Sequence, residues 1–141
     1  MKYIIPLIAF LISLNCVAQN FNVKSDTLLK KEHVSLSLDN GLSIPPFGVS
    51  GDFYLTNDQL IFHPKPFRRK RFEMYNDLVK DVKLPYDSIV VAKRRGILGL
   101  KIKTETKKYR FDGGNMRLRT TIALINRLVD EHKKVSLTSN R

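Results

Sequence analysis

The side chains best suited to chemistry in this chain are cations set among aromatic rings. Lys65, Arg68, Arg69, Lys70 and Arg71 lie close together with Phe67 and Phe72 beside them, and Lys93, Arg94 and Arg95 form a second run. Cations interleaved with rings suit an anionic surface, the charges meeting headgroups while the rings rest at the apolar boundary. At about 1 kcal/mol per cation near an anionic membrane, five supply roughly 5 kcal/mol, which alone is weak binding. The second run adds to the first only if its turn lies at the same end of the fold. The same residues also fit a plainer role, a solvated loop whose two rings complete the core.

Other chemistries find less support. His33, His63 and His132 stand on different segments without metal-ligand spacing, so neither a metal site nor a cofactor is expected. Gly113-Gly114 precedes a helical stretch but lacks the Lys-Ser or Lys-Thr of a phosphate loop, which leaves at most a backbone anion site at the helix start. Asp77, Asp81 and Asp87 fall on separate turns, and no nucleophile pairs with a base. The expectation is a protein that binds and does not catalyse.

The start of the chain reads as an address. Lys2 is followed by an almost unbroken apolar run from Ile4 to Leu14, and then by Cys16-Val17-Ala18 before Gln19. A charged start, a short apolar stretch and a small-x-small end make a secretory signal peptide over residues 1–18, too short to span a bilayer comfortably. Cleavage after Ala18 removes the one cysteine and leaves no thiol for disulfide, metal or nucleophile. A rival reading makes Cys16 the lipid-bearing first residue of a bacterial lipoprotein, which Ser13-Leu14-Asn15 fits poorly. The expected location is therefore periplasmic or secreted. The leader carries one of the 25 cations, so the mature chain keeps 24 against 13 acids, a formal charge of +11 rather than +12. So positive a small domain favours anionic partners: lipid headgroups, lipopolysaccharide, nucleic acid or an acidic protein. Nucleic acid is the least favoured, because an exported protein seldom meets it and no base-reading element is visible.

The elements that must hold these residues are mostly strands. Hydrophobic residues make up 43% of the chain, enough for a core, and its length of 141 residues allows one domain. Residues 19–32 are polar without clear period and read as a lead-in. Alternation begins with Val34, Leu36 and Leu38, and Asn40-Gly41 is a strong turn signal. In Gly51–Phe62, Phe53 and Leu55, then Leu60 and Phe62, alternate around a turn at Asn57-Asp58, which makes a hairpin. Pro64 and Pro66 break the sheet before the basic run. Val82 and Leu84, then Ile89 to Val91, then Leu98 to Thr104 and Lys108 to Phe111 supply further short strands. The cations of the last two are expected to form a solvated face. The period then changes. Leu118, Ile122, Ile125 and Val129 recur at four, three and four, one apolar face of a helix that Asp112 or Asn115 caps. His132, Lys133 and Lys134 are expected at its end, where cations favour the dipole, with 135–141 a frayed tail.

Short strands followed by one amphipathic helix imply a mainly β fold, a small barrel whose apolar mouth the helix covers. Three segments sharpen this. GDFYLTNDQLIFHPK (51–65), LPYDSIVVAKRR (84–95) and LKIKTETKKYRF (100–111) resemble, in order and spacing, the recurrent pieces of GRAM and related bacterial PH-like domains. The resemblance covers roughly residues 33–131, within a domain expected at 33–134, and departs from the family at the basic insert after Pro64. It implies a small β-barrel of two orthogonal antiparallel sheets capped by the helix, and a non-enzymatic module that binds lipid headgroups in some members and proteins in others. The expected partners are therefore an anionic lipid surface or, alternatively, another envelope protein. The family's phosphoinositide site does not transfer, because the matching loop, Asp39 to Gly51, contains no Lys or Arg.

Overall fold

Alternating apolar residues become strands because period two gives each strand one face for the core. The computed structural model describes residues 26–38, 48–78, 80–113 and 115–139. Residues 1–18, expected to be a signal peptide, with Cys16 among them, and Asn40-Gly41, expected to form a turn, lie outside the described residues. The strands are β1 (Thr27–Leu38), β2 (Val49–Thr56), β3 (Gln59–Pro64), β4 (Val82–Pro85), β5 (Ile89–Arg95), β6 (Gly99–Thr104) and β7 (Lys108–Asp112). One helix, α1 (Leu118–Ser139), follows, and 3-10 turns occupy Lys70–Leu78 and Tyr86–Ser88.

All neighbouring strands are antiparallel, in one continuous sheet of order β4-β3-β2-β1-β7-β6-β5. β1 is the hinge. It pairs with β2 along its length, and from Ser35 to Leu38 it also pairs with β7. Its register slips between Lys31 and Val34, where His33 takes a left-handed φ of 56°. Such a bulge bends a strand and increases its twist.

The bend is visible in the core. β3 and β7 are three places apart in the sheet, roughly 14 Å along a flat surface. Yet the rings of Phe62 and Phe111 lie 5.7 Å apart, and those of Phe53 and Phe111 5.2 Å apart. The sheet must therefore curl round on itself. Its two edge strands, β4 and β5, are joined by only Tyr86–Ser88, so the edges approach at that corner. Among the described residues no ladder pairs β4 with β5. The architecture is thus the expected mainly β fold, a strongly curled antiparallel sheet followed by one helix, with an open seam between β4 and β5.

The helix packs on the β5 side of the seam. Leu118, Ile125, Leu128 and Val129 are buried, and α1 packs against β5 and Tyr86–Ser88. Burying four such side chains is worth about 6–12 kcal/mol before the opposing entropy is subtracted. Asn126, beside this stripe, uses its amide on the free edge of β5. Its Oδ1 accepts from the Ala92 N–H at 3.1 Å and its Nδ2 donates to the Ala92 carbonyl at 3.1 Å. Tyr86 is fully buried, and its hydroxyl donates to the Thr56 carbonyl at 2.8 Å. His132 Nε2 lies 2.8 Å from the Asn57 carbonyl oxygen, tying the helix to the β2–β3 turn.

Several expectations need correction. β1 starts at Thr27, so its first half occupies the supposed lead-in. Neither Asp112 nor Asn115 caps α1: Asp112 stays in β7, paired with Arg110, and a Gly113–Met116 turn holds Asn115 short of the helix. The helix continues to Ser139, so His132 to Lys134 sit inside it and not in its last turn. The β2–β3 turn is organised by Thr56, whose hydroxyl donates to the Gln59 carbonyl at 2.9 Å and accepts from its N–H at 3.1 Å. Thr104 repeats the device with Lys107 in the β6–β7 turn.

Candidate functional site

The proline-broken segment after β3 cannot continue the sheet, because Pro66 has no N–H for a ladder. It is anchored instead at both ends. The Lys65 N–H donates to the Ser50 carbonyl at 2.8 Å, and the Phe67 N–H donates to Asn76 Oδ1 at 2.7 Å. Between them the Phe72 N–H donates to the Arg69 carbonyl at 2.8 Å, which starts the 3-10 turns. An exposed pair, His63 Nδ1 and Asp81 Oδ1 at 2.8 Å, closes the base of the connection from β3 to β4.

These anchors shape an open hollow of about 760 Å3. Pro66, Phe67 and Phe72 give it an apolar floor, with the two rings 6.0 Å apart. Phe67 also packs onto the core, so the plainer role foreseen for the rings holds for this one. Lys65, Arg68, Arg69 and Arg71 stand around the rim, and the Arg71 guanidinium lies 4.7 Å from the Phe72 ring centroid. Lys65 is partly neutralised by Asp52, at 2.8 Å. No acidic side chain lines the hollow among the described residues. Ser50 and His33 complete it from β2 and from the bulge of β1.

Six of the ten residues singled out by sequence therefore meet here. Lys70 belongs to the same segment but does not line the hollow. Lys93, Arg94 and Arg95 lie elsewhere, at the end of β5. Ladder partners connect Pro64 through Gly51 to Val34, and Ser35 through Asp112 and Gly99 to Arg95. That path crosses five strand spacings, roughly 24 Å along the curved sheet. Along the sheet the two basic runs stand five strand positions apart, and the second does not line the hollow. His33 was missed as a lining residue because a polar residue within a strand reads as an outward one, and nothing local marks the bulge. The three histidines stay apart, and no cluster of metal-ligating side chains occurs among the described residues.

A second depression, about 370 Å3, lies along the seam between β4 (Lys83 to Pro85), Ser88 and the β6–β7 turn.

No protein-family model matches the sequence, and no curated protein matches it. Solved structures do. The chain is similar to the Vps36 N-terminal PH domain, at 13% identity over 77% of this chain and 81% of that one, with a TM-score of 0.54. The fold is PH-like. A C-terminal domain of an unknown protein from Leishmania infantum also matches, at 13% identity over 73% of this chain and 84% of that one, with a TM-score of 0.48. At such identities the PH-like likeness describes architecture: a curled antiparallel sheet with a C-terminal helix packed against it.

Proposed function

We propose that this protein is a non-enzymatic, PH-like binding module of the GRAM type, exported by a bacterium, whose β3–β4 hollow takes the anionic headgroup region of an envelope lipid. The observation that carries the reading is the union of an apolar floor with a cationic rim, with no acidic residue among those that line the hollow. That combination matches an amphiphile better than it matches a small anion, which needs no apolar floor, or a neutral peptide, which needs no arginines. With Lys65 held by Asp52, three arginines remain to supply about 3 kcal/mol, so a single headgroup is held weakly and the bilayer must supply the rest. Export rests on the leader sequence, and GRAM character on the three segments quoted above.

Co-sedimentation with phosphatidylglycerol vesicles over a salt series tests this. Binding should fade steeply as salt screens the rim. Replacing Arg68, Arg69 and Arg71 together by alanine should remove most of the salt-sensitive part. Unchanged binding by that variant would sink the proposal.

A protein-partner reading has its own support in the open seam, where the free side of β4 could accept a strand from another chain. Crosslinking to one reproducible envelope protein, abolished by altering Lys83 or Ser88 but not the arginines, would favour it instead.

A further inference from the structure

The β5–β6 turn presents a combination that the hollow does not use. Ile97 is 80% exposed and Leu98 55% exposed, side by side at the tip of a hairpin. Two large aliphatic side chains so exposed contribute little to the core. Within the hairpin itself the charge is of one sign, although the Asp112 carboxylate of β7 lies beside Gly99 at its base. From Ile89 to Thr104 the sequence carries Lys93, Arg94, Arg95, Lys101 and Lys103 and no acidic residue.

The backbone of the tip is also prepared for loss of water. A turn entering a lipid interface must satisfy carbonyl groups that were hydrated outside. Here Arg94 folds back over its own turn, its Nε donating to the Gly96 carbonyl at 2.8 Å and its Nη2 to the Ile97 carbonyl at 3.1 Å. Gly96 adopts a left-handed φ of 62°, which the tight turn requires. The tip is thus pre-shaped, with two of its carbonyls supplied internally and its aliphatic side chains outward.

We infer that the β5–β6 turn is a membrane-inserting wedge: Ile97 and Leu98 enter the acyl boundary of an anionic bilayer while Lys93 and Arg95 remain at the phosphate level. An apolar tip within a wholly cationic hairpin complements that interface, where apolar and anionic layers lie a few ångströms apart. A protein partner would have to supply both a greasy socket and an acidic collar. The inference shares with the proposed function only the requirement for anionic lipid, because the wedge and the hollow lie on different parts of the sheet.

The chain contains no tryptophan, so a single introduced one reports its own surroundings. Ile97→Trp changes a side chain that faces solvent and leaves the core intact. On addition of phosphatidylglycerol vesicles the emission of this variant should shift to the blue and be quenched by lipids brominated on the acyl chains. Leu137→Trp, at a position 73% exposed near the end of α1, should stay unquenched. The double variant Ile97→Ser, Leu98→Ser should bind vesicles at least about tenfold more weakly. The Arg68, Arg69 and Arg71 alanine variant separates the two sites: if only the hollow reading is wrong, adding those changes to Ile97→Trp leaves the quenching in place. The wedge is overturned if the Ile97→Trp protein sediments with vesicles while its indole stays unquenched, or if the serine variant binds normally. It is equally overturned if that indole is already blue-shifted without lipid in a concentration-dependent way, which marks a contact between copies. Failure of the wild type to sediment at all overturns both proposals.

Discussion

Asn126→Ala removes the amide that holds both polar groups of Ala92 on the edge of β5. Two hydrogen bonds at about 1 kcal/mol net each give a loss of about 2 kcal/mol. Alanine recovers about 0.5 kcal/mol through its better helix propensity, which leaves about 1.5 kcal/mol. For a domain of this size that corresponds to a fall of about 6 °C in Tm. Urea and thermal unfolding measure the stability, and amide hydrogen exchange reads the mechanism. The Ala92 N–H should exchange much faster in the variant, while the amide of Ile102 on the neighbouring β6 should slow or quicken only with global stability. Arg127→Ala, one residue along, is the comparison. Its pairing with Glu131 at 3.6 Å is exposed, and its loss should cost no more than about 0.5 kcal/mol. If Asn126→Ala is as stable as the wild type, or gains the propensity difference in full, water serves the β5 edge as well as the amide does. The assigned role would then be wrong.

Tyr86→Phe should cost about 1 kcal/mol at neutral pH, because the Thr56 carbonyl loses its buried donor. Burial first, and the Asp58 charge second, hold the Tyr86 phenol well above the ordinary value of 10.0. A folded-state pKa raised above the unfolded one gives stability that is complete below about pH 10 and is lost as pH rises further. The wild type should therefore weaken between neutral pH and about pH 11 more than Tyr86→Phe does; equal slopes in urea unfolding would contradict this. Glycine substitutions separate lack of space from backbone strain. A Cβ at Gly51 would meet the His63 carbonyl oxygen and the Phe62 ring, at 2.5 Å, so Gly51→Ala should lose about 2–3 kcal/mol or fail to fold. Gly96→Ala has open space and suffers only from its left-handed φ, about 1 kcal/mol. Similar melting temperatures for the two variants would refute that distinction.

The parts of the fold legible in the sequence are those where one face alone is apolar. Phe53 and Leu55, Leu100 and Ile102, and Tyr109 and Phe111 alternate cleanly, and each of them is buried. Ile61 breaks the pattern. It faces away from Leu60 and Phe62 yet is only 6% exposed, opposite Tyr54 and Lys83, whose long side chains share its face. The first half of β1 was hidden for two reasons. Lys30, Lys31 and Glu32 blur its period, and the bulge at His33 shifts its phase relative to Val34 and Leu36. Asn126 reads as an outward residue beside the apolar stripe because sequence shows the helix face and not the strand edge it meets. The clustering of Lys65 to Phe72 was legible as composition. Its hollow was not, since Ser50 and His33 come from other strands and the Asn76 anchor lies farther along the same connection. Nor could spacing show that Lys93 to Arg95 do not line that hollow.

The position of β1 has a consequence for synthesis. The chain's first described strand lies in the middle of the sheet, and its partners on one side come from β7, so that Ser35 pairs with Asp112 and Leu36 with Phe111. A nascent chain emerging from the ribosome can form the β2–β3 hairpin early, but it cannot complete the body until residues near 112 have appeared. Such distant closure makes folding slow for the molecule's size. It also keeps the growing polypeptide threadable almost to its end, the state that the export proposed above would demand of it at a translocation pore.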